Sequence, residues 1–183
     1  YMRVISGSAR GRKLKELPGL DTRPTTDRVK ESMFNIVQFD IEGRSVLDLF
    51  AGTGQLGIEA LSRGADRCVF VDQNRAAAAV VRENLDHTRL TDRARVVQAE
   101  SLGFLTSCRE KFDLIFLDPP YHSDLLEQAV KTAAEIDILK EHGIILCESG
   151  LEKELPQVCS PYLKGREYRY GKIKLTLYRR TAE

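Results

Sequence analysis

A strand-like apolar run ends in a carboxylate and two prolines, and this stretch holds the first residues whose types suggest chemistry. FDLIFL is followed by Asp118, Pro119, Pro120 and Tyr121. Proline has a fixed φ and no N–H, so the chain from Asp118 onward offers carbonyl oxygens with few competing donors. Together with the Asp118 carboxylate, these oxygens could accept both hydrogens of an exocyclic amine, while Tyr121 offers a flat face for a base. The stretch therefore predicts a site that holds an aromatic amine.

An aromatic amine is a poor nucleophile because its lone pair is delocalised into the ring. Two acceptors on its hydrogens would localise that lone pair and hold it toward an electrophilic carbon, through positioning and electrostatics. A cofactor would have to supply the carbon. Taken alone, the stretch could equally be a rigid turn with a packed tyrosine.

A glycine loop forms the second candidate site, in LDLFAGTGQLGIEA over residues 47–60. Gly52, Gly54 and Gly57 match GxGxxG, in which glycines let the backbone approach a ligand while a helix N-terminus offers N–H groups. The match alone would also suit a nicotinamide dinucleotide. Asp48, just before the loop, would repel a pyrophosphate but attract a cationic amino-acid group such as that of S-adenosylmethionine. The alternative is that Asp48 caps neighbouring loop amides.

Two further strand ends carry polar residues. Asp72 ends VFVD, 20 residues after Gly52, where a carboxylate could hold ribose hydroxyls. Glu100 follows the next predicted strand, where it could meet an adenine amino group, or it could cap the following helix together with Ser101. The predicted cofactor-binding residues are Asp48, Ala51, Gly52, Thr53, Gly54, Asp72, Gln73, Glu100, Ser101 and Asp118.

The elements that must position these residues alternate along the chain. Apolar runs and segments of 3.6-residue periodicity follow one another from residue 45 onward, which predicts an α/β fold with a mostly parallel sheet and helices on both faces. Ligands of such sheets bind at the carboxyl ends of the strands. The predicted strands are SVLDLF, RCVFVD, RVVQAE, FDLIFLD and GIILCE. The predicted helices are DRVKESMFNIV, QLGIEALSRG, NRAAAAVVRENLDH, SLGFLTSCRE and SDLLEQAVKTAAEIDIL.

Both ends of the chain depart from this alternation. REYRYG and KIKLTLYRR leave no room for a helix between them, which predicts an antiparallel hairpin at the sheet edge and seven strands in all. RVISGSARGRKLKEL reads as a short basic hairpin, followed by a loop and a helix with Thr26 or Asp27 as N-cap. We expect one domain over 1–183, with the basic hairpin and loop in 1–26 and the catalytic core in 27–183.

Positive charge is concentrated at the two ends. Residues 1–30 hold eight Lys and Arg against three acidic residues, and residues 164–180 hold seven against one. These segments carry +5 and +6, which leaves −10 for the rest of a chain of net charge +1. Basic ends around an acidic middle suit a polyanion gripped at the edges of a site, although ordinary solvated charge would give the same count. The predicted nucleic-acid contacts are Arg3, Arg10, Arg12, Lys13, Arg23, Arg28, Lys172 and Arg179.

Several classes of protein are disfavoured by composition. No apolar run approaches the roughly 18 residues of a membrane span and no signal-peptide block is present, so we expect a soluble, cytoplasmic protein without a membrane partner. The four cysteines show no CxxC spacing and the three histidines no HExxH pair. We therefore expect reduced core cysteines and no metal.

Four segments together resemble the RsmD family of bacterial methyltransferases, which act on a guanine N2 of small-subunit ribosomal RNA. They are RVISGSARGRKL, TRPTTDRVKESMFNI, VLDLFAGTGQLGIEALSRGA and DLIFLDPPY, and the similarity covers nearly the whole chain. The resemblance implies a Rossmann-like, S-adenosylmethionine-dependent methyltransferase fold. It also implies that the partner is small-subunit ribosomal RNA, within an assembling or assembled subunit. We expect a monomer.

The resemblance assigns roles to individual residues. Asp48, Gly52 and Gly54 would line the methionine part of the cofactor, Asp72 would hold the ribose, Glu100 and Ser101 would border the adenine, and Asp118 to Tyr121 would hold the target amine. Related enzymes often have Asp at the Glu100 position. Guanine as the target comes from the resemblance alone, because adenine also carries an exocyclic amine. The alternatives are an adenine-N6 nucleic-acid methyltransferase, an NAD-linked oxidoreductase and a non-enzymatic RNA-binding module.

Overall fold

The computed structural model describes residues 2–18, 26–120 and 123–182. The strands are β1 (Met2–Arg3), β2 (Lys13–Leu14), β3 (Ser45–Asp48), β4 (Arg67–Asp72), β5 (Ala94–Gln98), β6 (Phe112–Leu117), β7 (Leu139–Gly150), β8 (Tyr162–Tyr170) and β9 (Ile173–Arg180). The α-helices are α1 (Asp27–Ile36), α2 (Gln55–Ser62), α3 (Arg75–Thr88), α4 (Ser101–Ser107) and α5 (Leu125–Glu135). None of the helices in these described ranges is both long and apolar enough to cross a membrane.

The main sheet has seven strands in the order β5-β4-β3-β6-β7-β9-β8, and β1 pairs with β2 in a separate small sheet. Strands β3 to β7 pair in parallel, whereas β9 runs antiparallel to both β7 and β8. The chain moves outward from β3 to β5 and then crosses to β6 on the other side of β3, which creates a switch point of the kind where ligands bind. The predicted fold class, including the C-terminal hairpin, is confirmed.

Helices cover both faces of the sheet and bury a separate core on each. One core contains the apolar side of α1 to α3, including Phe34, Ile58 and Val81, packed on Val46 and Phe116 of the sheet. The other core lies beneath α4 and α5. Since neighbouring residues of a strand point to opposite faces, both sides of the central strands are apolar, which explains their uninterrupted hydrophobic runs.

The last predicted helix is shorter than expected, because α5 ends at Glu135 and β7 already begins at Leu139. Asp137 has a positive φ of 54° and turns the chain between them. Its carboxylate accepts hydrogen bonds from the Tyr162 hydroxyl at 2.9 Å and from Arg180 Nε at 2.7 Å. The hydrogen bond from Arg180 is the main reason that the pKa of Asp137 lies well below its usual range, and the bond from Tyr162 adds to this shift. The partners come from distant strands, so the helical periodicity of EIDIL could not reveal the break.

The predicted N-terminal hairpin is present, but its strands contain only two residues each. The segment between them bonds to α2 instead. Glu59, which is fully buried, accepts hydrogen bonds from Ile5 N at 2.9 Å and Ser6 N at 3.0 Å, and its Oε1 lies 3.3 Å from Lys30 Nζ. Ser62 Oγ accepts a bond from Ala9 N at 2.9 Å. The basic segment is therefore fixed to the helix that follows the glycine loop.

Two smaller predictions have clear outcomes. Thr26 rather than Asp27 is the N-cap of α1, and its hydroxyl accepts a 3.2 Å bond from Val29 N. All four cysteines are free; Cys68 and Cys147 lie in the core and Cys108 is half-buried, but Cys159 is exposed. The expectation that all four are core residues is therefore wrong for Cys159, which lies in the connection between β7 and β8.

Candidate active site

The glycine loop joins β3 to α2 through two residues in the left-handed region. Gly52 has φ 58° and Gly54, the N-cap of α2, has φ 84°. A Cβ on Gly52 would meet nothing within 4 Å, so the backbone borders open space there. A Cβ on Gly57 would lie 2.3 Å from Phe70 Cε2, which shows how closely α2 packs on β4. The loop is thus held against the sheet while its Gly52 side remains accessible to a ligand.

Asp48 lies at the carboxyl end of β3 and is 1% exposed. Its Oδ2 accepts a 3.1 Å hydrogen bond from Gly57 N, so it does cap a backbone amide, as the sequence allowed. Burial raises the pKa of Asp48 to about 7; the Gly57 amide acts against this shift, and the charges of Asp118 and Asp72 add to it. A cation bound here would favour the charged form of Asp48. The environment therefore suits a positively charged ligand.

Asp72, at the end of β4, connects that strand to the glycine loop. Its Oδ2 accepts a 2.9 Å hydrogen bond from Gly52 N, and its Oδ1 accepts one of 2.9 Å from Asn74 N. Each carboxylate oxygen has a second lone pair that remains available to a ligand. Gln73 follows Asp72 and is exposed. The Asp72 carboxylate thus fixes the loop and still borders the same edge of the sheet.

Glu100 is the N-cap of α4. Its carboxylate accepts hydrogen bonds from Leu102 N at 2.8 Å and Gly103 N at 2.9 Å, and these two bonds lower the pKa of Glu100. Ser101 Oγ lies 3.3 Å from Glu100 Oε2. The capping alternative is therefore realised in the structure, and an adenine contact remains a prediction.

Asp118 and Pro119 extend from the end of β6 beside β3. Asp118 is half-buried, Pro119 is buried and Pro120 is exposed. The Pro120 carbonyl accepts a 3.1 Å bond from Ser123 Oγ, so the loop itself occupies one of the predicted acceptors. The predicted acceptors also include the Asp118 carboxylate and the carbonyls of Asp118 and Pro119. Tyr121 lies outside the described residues.

The structure brings Asp48, Asp72 and Asp118 to one edge of the sheet. In the β3–β6 register Asp48 pairs with Phe116, so Asp118 lies two residues beyond Asp48 on the adjacent strand. The electrostatic effect of Asp72 and Asp118 on Asp48 reflects this proximity. Among the described residues, no group of three or more His, Cys, Asp and Glu is arranged to hold a metal ion. The edge therefore places the buried Asp48 carboxylate, whose charged form a cation would favour, beside the predicted hydrogen-bond acceptors.

The predicted nucleic-acid contacts are distributed unevenly. Lys172 lies in the β8–β9 turn, and the adjacent Ile173 pairs with Gly150 at the carboxyl end of β7. Arg179 instead pairs with Ile144. Ile144 lies roughly 20 Å from Gly150 along β7, at about 3.3 Å per residue. Arg3 Nε bonds Asp27 Oδ2 at 3.1 Å. Arg10, Arg12, Lys13 and Arg28 are exposed, and Arg23 lies outside the described residues.

Asn84 is a site-supporting residue that sequence reasoning missed. Its Oδ1 accepts a 2.7 Å bond from Lys15 N, and its Nδ2 donates to Lys15 O at 3.1 Å and Thr53 O at 2.9 Å. The side chain therefore connects the basic N-terminal segment to the glycine loop. A signal was available, because Asn84 interrupts the apolar stripe of α3 between Val81 and Leu85, where a buried amide must have partners.

Asn84→Ala is expected to lower the free energy of unfolding by about 2 kcal/mol, because it leaves the Lys15 amide and two carbonyls without this partner. Urea denaturation of both proteins measures the change. Glu83→Ala is the matched control, since it removes only the exposed Lys15–Glu83 ion pair of 3.0 Å and should cost less than about 0.5 kcal/mol. Equal losses in the two variants would contradict this role for Asn84.

The sheet order, the glycine loop and the carboxylates at one edge define a Rossmann-like methyltransferase. The model of the family described as conserved hypothetical protein 95 matches residues 2–179. The chain is 38% identical over 184 residues to ribosomal RNA small subunit methyltransferase D of Escherichia coli (strain K12), covering 100% of this chain and 91% of that protein. This chain belongs to the RsmD family.

Two further comparisons agree with this assignment. YlbH of Bacillus subtilis (strain 168) is 42% identical over 182 residues, covering 98% of this chain and 99% of that protein. The solved structure of yhhF from Escherichia coli superposes with a TM-score of 0.88 at 37% identity, covering 100% of this chain and 99% of that chain. The similarity therefore extends over the N-terminal segment as well as the sheet.

Proposed function

We propose that this protein transfers a methyl group from S-adenosylmethionine to the exocyclic N2 amine of a guanine in bacterial small-subunit ribosomal RNA. The observation that carries the proposal is the placement of Asp48 and Asp118 at the ends of adjacent parallel strands, beside the glycine loop. The similarity to Escherichia coli ribosomal RNA small subunit methyltransferase D supports the class of RNA. The choice of guanine N2 rests on the family resemblance.

The residues at the loop fit this cofactor. S-adenosylmethionine carries positive charge and no phosphate, which suits an edge where Asp48 is buried among other carboxylates. Asp48, Gly52 and Gly54 would hold its amino-acid part, with Ala51 and Thr53 in the same loop. Further along the edge, Asp72 and Gln73 would hold the ribose, and Glu100 and Ser101 would border the adenine. When bound, the cofactor supplies an electrophilic methyl group.

Asp118 performs the central task in the proposed mechanism. Its carboxylate and the adjacent carbonyls accept hydrogen bonds from the two N–H groups of the guanine amine. These bonds increase the electron density on the nitrogen and fix the direction of its lone pair. The buried Pro119 holds the loop in shape because its φ is restricted. A base presented to this edge must be unpaired or turned out of its helix. Tyr121 is proposed as the face on which that base stacks.

The basic ends are proposed to hold the RNA backbone around this edge. Lys172 lies beside the carboxyl end of β7, and the N-terminal segment with Arg3, Arg10, Arg12 and Lys13 is fixed beside the glycine loop through Asn84. Arg23 and Arg28 belong to the proposed grip by their sequence position next to this segment. Arg179 does not, because it lies at the far end of β9.

Lys172→Glu is expected to weaken RNA binding about tenfold at moderate salt and to reduce the salt dependence of the affinity, because one phosphate contact becomes a repulsion. Filter binding of a small-subunit RNA fragment at two salt concentrations measures both effects. Arg179→Glu introduces the same charge change on the same hairpin, away from the edge, and should alter the affinity less than about threefold. A larger effect at Arg179 would place the RNA on the opposite end of the hairpin.

The function itself is tested by radiolabelled methyl transfer from S-adenosylmethionine. The acceptors are naked small-subunit RNA and small subunits from cells that lack the modification, and the labelled RNA is digested to nucleosides and analysed by mass spectrometry. Label in N2-methylguanosine is the expected result, and the better acceptor identifies whether ribosomal proteins help to form the substrate. Label on adenine, or no label despite measured cofactor binding, would contradict the proposal.

A further inference from the structure

Glu148 lies at the carboxyl end of β7, next to the loop that is proposed to hold the target amine. Leu117 pairs with Cys147 in the parallel β6–β7 register, so the next residue of each strand, Asp118 and Glu148, are adjacent across the sheet edge. Glu148 is 1% exposed. A carboxyl side chain is rarely so completely buried without a specific role or partner.

The side chains of Glu148 and Asp118 lie on the same face of the sheet as Asp48. Alternation along a strand places Glu148 on the face of Leu146, and Asp118 on the face of Phe116. Leu146, Phe116 and Val46 all belong to the core beneath α1 to α3. Leu175, the cross-strand partner of Glu148 on β9, packs in that same core. Three adjacent parallel strands thus direct a carboxylate to one face of the edge.

The strand order determines what each carboxylate can contact. The proposed cofactor residues lie on β3, β4 and β5, and the target amine lies at the end of β6. The methyl group would reach the amine from the β3 side. The ring that carries the amine must then lie on the opposite side of the nitrogen, toward β7. Beyond Asp118 in that direction, the next strand carries Glu148 near the same edge.

We propose that Glu148 selects guanine by accepting a hydrogen bond from the base N1–H. This inference rests on the proposed function and adds to it the residue that reads the base. In guanine the N1–H donor is next to the N2 amine, whereas the ring nitrogen next to the adenine amine is an acceptor. A carboxylate therefore attracts the guanine edge and repels the corresponding edge of adenine. The near-complete burial of Glu148 makes such a contact strong, because it is shielded from water.

The test uses an RNA fragment that the wild-type protein methylates, with the target guanine replaced by 2-aminopurine. This base keeps the exocyclic 2-amine but has an acceptor in place of the N1–H donor. The wild-type protein is expected to prefer guanine by about 100-fold in kcat/KM, because an unmade hydrogen bond to a buried charged group is costly. Glu148→Gln, whose amide can both donate and accept, is expected to reduce that preference at least tenfold. The ratio of kcat/KM for guanine to kcat/KM for 2-aminopurine cancels any effect of the substitution that is common to both bases.

Binding provides a readout that does not depend on methyl transfer. The two RNAs are titrated without cofactor, using anisotropy for the guanine RNA and 2-aminopurine fluorescence for its analogue, and Glu148→Gln should bring the two Kd values closer together. Glu148→Asp keeps the charge and should preserve a preference for guanine. Glu152→Gln changes an exposed carboxylate near Gly150 and should leave the preference unchanged.

The possible failures are distinguishable. If wild-type protein methylates guanine N2 and the preference is the same in wild type and Glu148→Gln, the role of Glu148 is wrong while the proposed function stands. If wild-type protein places no methyl group on guanine N2, the proposed function is wrong and this inference with it. Unchanged S-adenosylmethionine affinity in Glu148→Gln shows that the variant is folded, so a loss of the guanine preference then supports the proposal.

Discussion

Asp118→Ala is expected to lower kcat/KM for methyl transfer by about 1,000-fold, because the amine loses the acceptor that activates and directs it. The Kd for S-adenosylmethionine should stay within about threefold of the wild-type value, since the interaction removed is made to the base rather than the cofactor. Single-turnover methylation of RNA and calorimetric titration of the cofactor measure the two quantities. A variant that retained most of its activity would overturn the assignment of the active site.

The control for this experiment is Asp124→Ala. Asp124 is an exposed carboxylate shortly after the same loop, and its Oδ2 bonds Gln128 Nε2 at 2.7 Å. Its removal changes the charge near the site by the same amount without touching the proposed acceptors, so activity should remain close to wild type.

A second consequence is specific to Asp118. Because its charge helps to raise the pKa of Asp48, the alanine variant should ionise Asp48 at lower pH.

The central part of the fold could be predicted because its signals are local. The strand RCVFVD is found over Arg67–Asp72 as predicted, and the glycine loop begins α2 at Gln55 as expected. Parallel strands between two layers of helices are apolar on both faces, which gives uninterrupted hydrophobic runs. Since such strands present their carboxyl ends at one edge, the proximity of Asp48 and Asp118 followed from their order in the chain.

The supports of the site could not be predicted because they connect distant segments. Glu59 looks like an ordinary residue of an amphipathic helix, yet it bonds the backbone at Ile5 and Ser6 and pairs with Lys30 in the core. Burial lowers the pKa of Lys30, and Glu59 acts against this shift, so each group depends on the other's charge. The true length of α5 likewise depends on Asp137 and its distant partners. Local periodicity contains no information about such pairings.

Asp48→Asn is expected to stabilise the free protein by about 2 kcal/mol at pH 8, and by less at pH 5. Burial raises the pKa of Asp48 from its ordinary value of 3.8 to about 7 in the folded protein, so the unfolded chain loses this proton first as pH rises. The free energy of unfolding therefore falls as pH rises from about 4 to about 7 and stays constant above pH 7. The ionisation of Asp48 lowers it by at most about 4 kcal/mol in total. Urea denaturation of both ligand-free proteins at the two pH values measures the difference. An equal gain at both values would show that the ionisation of Asp48 is not the cause.

The same substitution should weaken S-adenosylmethionine binding about 30-fold at pH 8, because a buried charge that pairs with the cationic amino-acid group is lost. Wild-type affinity should fall as pH drops below 7, where Asp48 is protonated, while the affinity of the variant should not follow that titration. Asp66→Asn, at an exposed site before β4, is the control for loss of one negative charge. A purely structural carboxylate would change stability and affinity in the same direction. Burying Asp48 destabilises the free protein and a bound cation offsets that cost, so the two measurements should move in opposite directions.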